Sequence, residues 1–210
     1  EDSRLLILGC GQGREIDRWT REGVGYIVGQ EYLNFSSDWK GLSGTNQAVV
    51  RSNIETLPFH ECTFDLVFAK AVFEHLGNFE ACIREIHRTM RAGSLIWADF
   101  GPLWYTYGGP HDDNIGYEQV VLSDSELSKR FRPGSEGELY WKNGMFSRLR
   151  VGQYRSILEK YFAIRHWGIG VSSHGRRFKK AYPDRWRELC RKESEADLLI
   201  WAVYFVGQRR

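Results

Sequence analysis

Residues 4–13 read Arg-Leu-Leu-Ile-Leu-Gly-Cys-Gly-Gln-Gly, and this stretch decides the fold. An apolar run typical of a short buried strand ends in three alternating glycines: Gly9, Gly11 and Gly13. A backbone without side chains can turn sharply and lets a ligand approach closely. Residues 14–22 follow with Ile16 and Trp19 on one helical face. The stretch therefore predicts a strand, a tight ligand-binding turn and a helix.

The chain continues as an alternation of short apolar strands and amphipathic helices. Further strands are predicted at residues 26–31, 47–53, 64–69, 94–100, 163–170 and 198–206. Further helices are predicted at residues 33–41, 78–91 and 148–161, and in a basic stretch before the last strand. Asn78 is the expected cap of the middle one, and Gly93 is expected just past its end. Such alternation predicts an α/β fold with a mostly parallel sheet, which binds ligands beyond the carboxyl ends of its strands.

The length of 210 residues fits one domain with three parts. Residues 1–100 form the expected ligand-binding half. Residues 101–147 form a long aromatic and glycine-rich excursion, expected to be a lid, whose clear helix starts at the capping-box pair Ser123 and Glu126. Residues 148–210 supply C-terminal helices and edge strands.

Charge and cysteine content narrow the function classes. The 29 basic and 27 acidic residues leave a net charge of +2, too small for a field that draws the whole protein onto nucleic acid. The sequence has no apolar run long enough to span a bilayer. Its cysteines lack paired spacing, so neither a disulfide framework nor a metal site is expected. The scattered cysteines make a reducing cytoplasm the expected location. A strand starting at residue 4 also leaves no room for a signal peptide.

Two polar residues follow predicted strands at positions suited to a nucleoside. Glu31 ends the second strand about twenty residues beyond the glycines, where an acid can accept hydrogen bonds from both ribose hydroxyls. Asn53 follows the third strand, where its amide oxygen could hold an adenine amino group; a turn residue is the alternative. The third glycine comes one residue too early for the dinucleotide motif G-x-G-x-x-G, which favours a nucleoside over a pyrophosphate.

Taken in order, five elements resemble the class I S-adenosylmethionine-dependent methyltransferases, most closely the type-11 methyltransferase-domain family. The elements are GCGQG, Glu31, NIETLPF, FDLVFAKAVFEHL and REIHRTMRAGS, and they run from Leu5 to Phe100. Five elements in one order are far more specific than any one of them. The resemblance implies a Rossmann-like, seven-stranded, mostly parallel sheet with an antiparallel edge and an enzyme that transfers a methyl group from S-adenosylmethionine.

The resemblance also implies which residues hold S-adenosylmethionine and its product S-adenosylhomocysteine. The implied contacts are Gly9, Gly11 and Gly13 around the methionine portion, Glu31 at the ribose, Asn53 and the Ile54 backbone at the adenine, and the Ala69 carbonyl at the amino group. Two positions depart from the family pattern, which usually has an acid where Ile7 stands and Asp where Asn53 stands. Loss of that acid near the ammonium of the cofactor would cost on the order of 1 kcal/mol.

Catalytic candidates lie after the fifth strand, where an acceptor would meet the cofactor. An alcohol acceptor needs a base to take its proton, and His111 is the expected base, with an exposed loop histidine as the alternative. Asp99, at the end of the strand, is expected to orient His111 or to cap the loop. His75 titrates near neutral pH, but a local structural role is favoured for its Glu-His-Leu triplet.

Aromatic and basic residues suggest two further contacts. Trp104, Tyr105 and Tyr107 offer aromatic surface for a substrate, although lid packing is the favoured role for most of the excursion's aromatic residues. Residues 174–192 mix eight basic with several aromatic side chains, as in nucleic-acid sites, but interspersed acids favour a solvated helix face.

The expected function is methyl transfer to a small molecule, with oxygen of a saccharide or secondary metabolite as the preferred acceptor. That preference follows a weaker resemblance of the GPLWY segment to bacterial members that modify such compounds. The alternatives are an RNA methyltransferase, a non-catalytic module that binds S-adenosylmethionine, and, more distantly, a nicotinamide-dependent oxidoreductase. The sequence does not predict an oligomeric state.

Overall fold

The strands form one seven-stranded sheet in the computed structural model, which describes residues 3–42 and 46–210. Strands β1 to β7 are Arg4–Leu8, Tyr26–Glu31, Gln47–Arg51, Phe64–Lys70, Met90–Phe100, Phe162–Val171 and Ile200–Arg209. Their order across the sheet is β3-β2-β1-β4-β5-β7-β6. Strands β1 to β5 pair in parallel, which brings their carboxyl ends to one edge.

The predicted α/β fold with a mostly parallel sheet is confirmed. The last strand in the chain, β7, lies between β5 and β6 and runs antiparallel to both. The edge strand on that side is therefore β6, which runs parallel to the central strands.

Helices cover both faces of the sheet. Helices α1 to α9 are Arg14–Arg21, Phe79–Thr89, Glu118–Val121, Asp124–Leu127, Glu136–Lys142, Val151–Tyr161, Ser173–Ala181, Pro183–Leu189 and Glu195–Leu199. Within the predicted helix at 33–41, the structure has a short 3-10 helix at Asp38–Gly41.

The boundary between α2 and β5 differs from the prediction. The helix ends at Thr89, and Met90 already has extended backbone angles and starts β5. Gly93 does not end the helix; its positive φ lies within β5, near a shift in the register between β4 and β5. Asn78 occupies the cap position, but its side chain makes no capping hydrogen bond.

Strand β1 is buried on both faces, as a central parallel strand should be. Leu6 and Leu8 belong to the larger core, which packs beneath α2 and α6. Leu5 and Ile7 belong to a smaller core on the other face, where they meet Ile16 of α1. Ile7 therefore fills a core position under α1, away from the glycine turn that follows the strand.

The excursion at residues 101–147 has its own small apolar cluster. Trp104, Ile115, Leu127, Phe131 and Phe146 are buried together in it, and the cluster joins α4, through Leu127, to α5, through Tyr140 and Trp141. The predicted capping box at the start of α4 is confirmed, since the Ser123 and Glu126 side chains and backbones bond reciprocally. The excursion is thus built from short helices that pack on an apolar cluster of their own.

Replacing Ser123 with alanine is expected to lower the free energy of unfolding by about 1 kcal/mol, because the cap loses its acceptor for the Glu126 N–H. Urea unfolding followed by circular dichroism measures the loss. Ser125→Ala on the same helix is the control, since Ser125 is exposed and is not the cap; it should change stability by less than about 0.5 kcal/mol. Equal losses in the two variants would contradict the capping role.

In the described parts of the chain, no helix combines the length and the apolar composition needed to cross a membrane.

Candidate active site

A cavity of about 410 Å³ opens at the carboxyl edge of the sheet, beyond β1, β2 and β4. This volume falls in the range of pockets that bind small molecules and nucleosides. Its wall includes most of the predicted cofactor residues, namely Gly9, Gly11, Glu31, Asn53 and Ile54. Gly13 lies one residue before α1 and holds its left-handed backbone under Leu42.

The turn after β1 requires glycine because of its backbone angles and, at Gly9, because a side chain would not fit. Gly9, Gly11 and Gly13 all have positive φ, at 59°, 50° and 90°. A Cβ on Gly9 would stand 2.5 Å from Cγ2 of Val72, whereas one on Gly11 would meet no atom within 4 Å. The Gly11 backbone is held at both ends, because its carbonyl accepts from Nε1 of Trp39 at 2.8 Å and its N–H donates to Glu31.

Glu31 is buried at the end of β2 and organises the loops around the cavity. Its Oε2 accepts from the Gly11 N–H at 2.8 Å. Its Oε1 accepts from the N–H groups of Tyr32 and Leu33 at 2.7 and 2.9 Å. The two carboxylate oxygens have about four acceptor sites in all, so one remains beside these three bonds. The acid and the glycine turn predicted to share a ligand thus face each other in direct contact.

Asn53 has the predicted turn role and also lies beside the cavity. Its Oδ1 accepts from the Glu55 N–H at 3.0 Å and caps the 3-10 helix Ile54–Thr56, as a turn residue would. The same residue also lies on the cavity wall. The structure therefore places Asn53 where adenine contact is possible, with part of its amide oxygen already engaged.

Strand β4 ends one residue later than predicted, at Lys70. Ala69 is fully inside the sheet, where it pairs with Leu8 and Ala98, and it does not line the cavity. The strand continues to Lys70, and the wall is formed by Lys70, Ala71 and Val72. Ala71 has a left-handed φ of 53° and donates its N–H to the Asp99 carbonyl at 2.7 Å. The backbone offered to a ligand is thus that of Lys70 and Ala71.

The roof of the cavity belongs to the excursion that the sequence predicts as a lid, but the sequence does not single out which of its residues form the roof. The roof comes from the end of α5 and the turn after it, where Tyr140, Asn143, Gly144 and Met145 line the cavity. Tyr140 stands out in the sequence only as one of many aromatic residues in the excursion. Its place on the wall depends on how α5 packs against the sheet, which no local pattern encodes.

Three ionisable residues meet beneath this roof. Glu74, His75 and His111 each bring one oxygen or nitrogen to within 4.8 Å of the others. The ring centroid of His75 lies 4.7 Å from the ring centroid of His111 and 4.2 Å from that of Tyr140. His75 lines the cavity, whereas His111 stands behind it. His75, for which a structural role is predicted, is therefore the histidine on the cavity wall. His111, the predicted base, lies behind it.

Burial sets the ionisation of this trio. Removal from water raises the pKa of Glu74 to about 8, although the Gly101 N–H opposes the change by donating to Oε1 at 3.0 Å. Burial lowers the pKa of His75 to about 4 and that of His111 to about 3. Both rings are neutral near pH 7, and His111 is a weak base there. A general base works best with a pKa near the working pH, so its pKa does not suit His111 to the predicted role.

The other predicted acceptor-side residues lie off the cavity wall. Asp99 bonds through its backbone to Ala71, and burial raises the pKa of its side chain. Trp104 is buried in the excursion's apolar cluster, and Tyr105 donates its hydroxyl to the Arg148 carbonyl at 3.2 Å. Tyr107 stacks on His174 near α7. The structure does not bring these residues to the cavity, and lid packing accounts for their positions.

Comparison with known proteins agrees with this architecture. Residues 6–98 match a family model described as a methyltransferase domain. A methyltransferase of Encephalitozoon cuniculi is 34% identical over 99 residues, which cover 45% of this chain and 43% of that protein. The cycloartenol-C-24-methyltransferase of Arabidopsis thaliana is 29% identical over 101 residues, which cover 45% of this chain and 30% of that protein. The chain spans less than half the length of these curated relatives.

A solved structure extends the likeness of fold to nearly the whole chain. An S-adenosylmethionine-dependent methyltransferase from Mesorhizobium loti superimposes with a TM-score of 0.61 at 18% identity, covering 98% of this chain and 90% of that one. The motif order, the sheet and the matched segment agree. Residues 6–98 are thus similar to the methyltransferase-domain family, and the fold of the chain is that of the class I S-adenosylmethionine-dependent methyltransferases.

Proposed function

We propose that this protein transfers a methyl group from S-adenosylmethionine to a small molecule, with the oxygen of a saccharide or secondary metabolite as acceptor. The observation that carries the proposal is the direct hydrogen bond between the glycine turn and Glu31 at the mouth of a nucleoside-sized cavity. The family match of residues 6–98 supports the same cofactor.

The residues on the wall fit S-adenosylmethionine by their chemistry. Gly11 leaves open space where a side chain would stand, which suits close approach of the methionine portion. The free acceptor site on Glu31 suits a ribose hydroxyl, and Ile54 offers an apolar surface for adenine. Lys70, at the end of β4, brings a positive charge for the cofactor's carboxylate. Its Nζ lies 3.5 Å from Oε1 of Glu15.

The chain's contribution to catalysis is mainly positioning. When bound, S-adenosylmethionine supplies a methyl group on a positive sulfur: the acceptor's oxygen forms the new bond to carbon, the carbon–sulfur bond breaks, and its electron pair stays on sulfur. The Gly9–Gly11 turn and Glu31 would fix the donor, while Tyr140 and Met145 would exclude water above it. Holding two reactants in line can remove about 7 to 11 kcal/mol of barrier. The acceptor's proton leaves to solvent.

Two considerations favour a small acceptor over RNA. The Arabidopsis relative is named for methyl transfer to cycloartenol, a small molecule. The basic stretch at 174–192 would have to border the cavity to guide RNA, but none of its residues lines it. Part of its charge is paired, since Lys179 meets Glu195 and Arg187 meets Asp184. Strongly salt-dependent RNA binding would favour the nucleic-acid alternative.

Calorimetric titration of the purified chain with S-adenosylhomocysteine tests the cofactor. We expect one site per chain with micromolar affinity, roughly −8 kcal/mol. A screen of metabolites with S-adenosylmethionine labelled in its methyl group then identifies the acceptor. An absence of binding would contradict the proposal. Binding without turnover on any acceptor would favour a non-catalytic module.

A further inference from the structure

The trio beneath the roof has the composition of a metal centre. Two imidazoles and one carboxylate are a common ligand set of catalytic Zn²⁺ sites, which keep a further position open. We propose that Glu74, His75 and His111, here called the Glu-His-His cluster, bind a divalent transition-metal ion, with Zn²⁺ as the best match to its ligands. The sequence predicts no such site, because its cysteines lack metal-binding spacing and the two histidines lie 36 positions apart.

Unpartnered buried atoms point to a missing ligand. Glu74 is only 3% exposed, and its Oε1 is held by the Gly101 N–H. Among the residues that the structure describes, Oε2 of Glu74 and Nε2 of His111 are buried without a hydrogen-bond partner. Such atoms are rare in folded proteins, because each loses its hydration without compensation. A shared cation would satisfy both.

The backbone beside the cluster orients the ring of His75 as metal sites require. Ligating histidines usually bond through one ring nitrogen to a carbonyl or carboxylate, which leaves the other nitrogen free for the ion. Nδ1 of His75 lies 3.2 Å from the Met145 carbonyl, so its Nε2 is available.

The spacing of the cluster is close to that of a bound ion. Ligand atoms around tetrahedral Zn²⁺, at about 2.0 to 2.2 Å from the metal, stand roughly 3.4 Å from one another. The cluster holds its atoms within 4.8 Å, so closing around an ion needs only small side-chain rotations. Glu74 and His75 lie in the 3-10 helix Phe73–His75 after β4, and His111 lies in the excursion after β5, so such rotations do not disturb a strand.

The open position would face the cavity, because His75 is both a ligand and part of the wall. In so far as the proposed methyl transfer is right, an acceptor hydroxyl could bind there. Zn²⁺ lowers the pKa of a bound oxygen and so makes the oxyanion available near neutral pH. The ion would then activate the acceptor hydroxyl, whose proton passes to solvent.

The test is a titration with Zn²⁺ alone, using the full chain stripped of metal with a chelator. We expect one ion per chain. We expect at least a 100-fold loss of affinity in Glu74→Gln and in His111→Asn, the latter chosen because asparagine tolerates the left-handed φ of 58° at this position. His174→Ala, at an exposed histidine outside the cluster, should bind as the parent does. Thermal melts show whether each variant is folded. If Glu74→Gln or His111→Asn fails to fold, His75→Gln is titrated in its place, with the same expected loss of Zn²⁺ affinity.

Binding to Co²⁺, followed by its visible spectrum, distinguishes nitrogen and oxygen ligands from the free thiols of the four cysteines. No stoichiometric Zn²⁺ binding, thiolate coordination, or unchanged affinity in the cluster variants would each overturn the metal site. A parallel titration with S-adenosylhomocysteine separates the two proposals. Binding of S-adenosylhomocysteine without Zn²⁺ would support the proposed function and contradict the metal site. Binding of Zn²⁺ without S-adenosylhomocysteine would support the metal site and contradict the proposed function.

Discussion

Gly9→Ala is expected to lower the free energy of unfolding by about 2 to 5 kcal/mol. An alanine in the left-handed region costs roughly 1 to 2 kcal/mol, and Gly9 has a φ of 59°. The new Cβ would also stand 2.5 Å from Cγ2 of Val72, and overpacking of this kind costs about 1 to 3 kcal/mol more. Chemical denaturation measures the total. Because the displaced turn lines the cavity, affinity for S-adenosylhomocysteine should also fall at least about tenfold, a change of 1.4 kcal/mol.

Gly11→Ala is the matched control for Gly9→Ala. Gly11 has nearly the same φ, 50°, but a Cβ there would meet no atom within 4 Å. Gly11→Ala should therefore lower the free energy of unfolding only by the cost of a left-handed alanine backbone, about 1 to 2 kcal/mol. Adding Val72→Ala to Gly9→Ala should recover the contact term, which a double-mutant cycle isolates. Equal destabilisation by the two glycine variants, with no coupling to Val72, would contradict this account.

The parts of the fold that the sequence predicts well are those with local physical causes. The strand at 4–8, the glycine turn and the position of Glu31 follow from apolar periodicity and from glycine's freedom of φ. The α2–β5 boundary was predicted wrongly because Gly93 was read as a helix end. Its positive φ instead serves an irregularity within β5, which depends on pairing with β4 across the sheet.

The acceptor side of the cavity depends on contacts between distant parts of the chain. His75 and His111 meet because Glu74 accepts a hydrogen bond from Gly101, 27 positions away, which ties the loop after β4 to the loop after β5. No spacing in the sequence reports that bond. Tyr140 is placed above His75 by the packing of the excursion, and the sequence offers several equivalent aromatic residues. The sequence therefore predicted most of the wall beside the glycine turn, although Gly13 and Ala69 lie off it, and it did not predict the acceptor side.

Glu31→Ala is expected to weaken the binding of S-adenosylhomocysteine by about 3 to 5 kcal/mol, or roughly 150- to 5,000-fold. Its carboxylate is the proposed acceptor for the ribose and also fixes the Gly11 N–H at 2.8 Å. Removing it therefore deletes charge-assisted hydrogen bonds and releases the turn that holds the methionine portion. Titration calorimetry, at a temperature where thermal melts show the variant folded, measures the change.

Two variants separate hydrogen bonding from the charge of the cavity. Glu31→Gln keeps one acceptor oxygen and should lose less affinity than Glu31→Ala, because glutamine can still satisfy part of the backbone that Glu31 holds. Glu55→Ala removes another carboxylate from the same wall and should change affinity by less than about fivefold, as expected for a partly solvated charge. If Glu31→Ala also stayed within fivefold of the parent, the nucleoside would have to bind without the acid that closes the glycine turn.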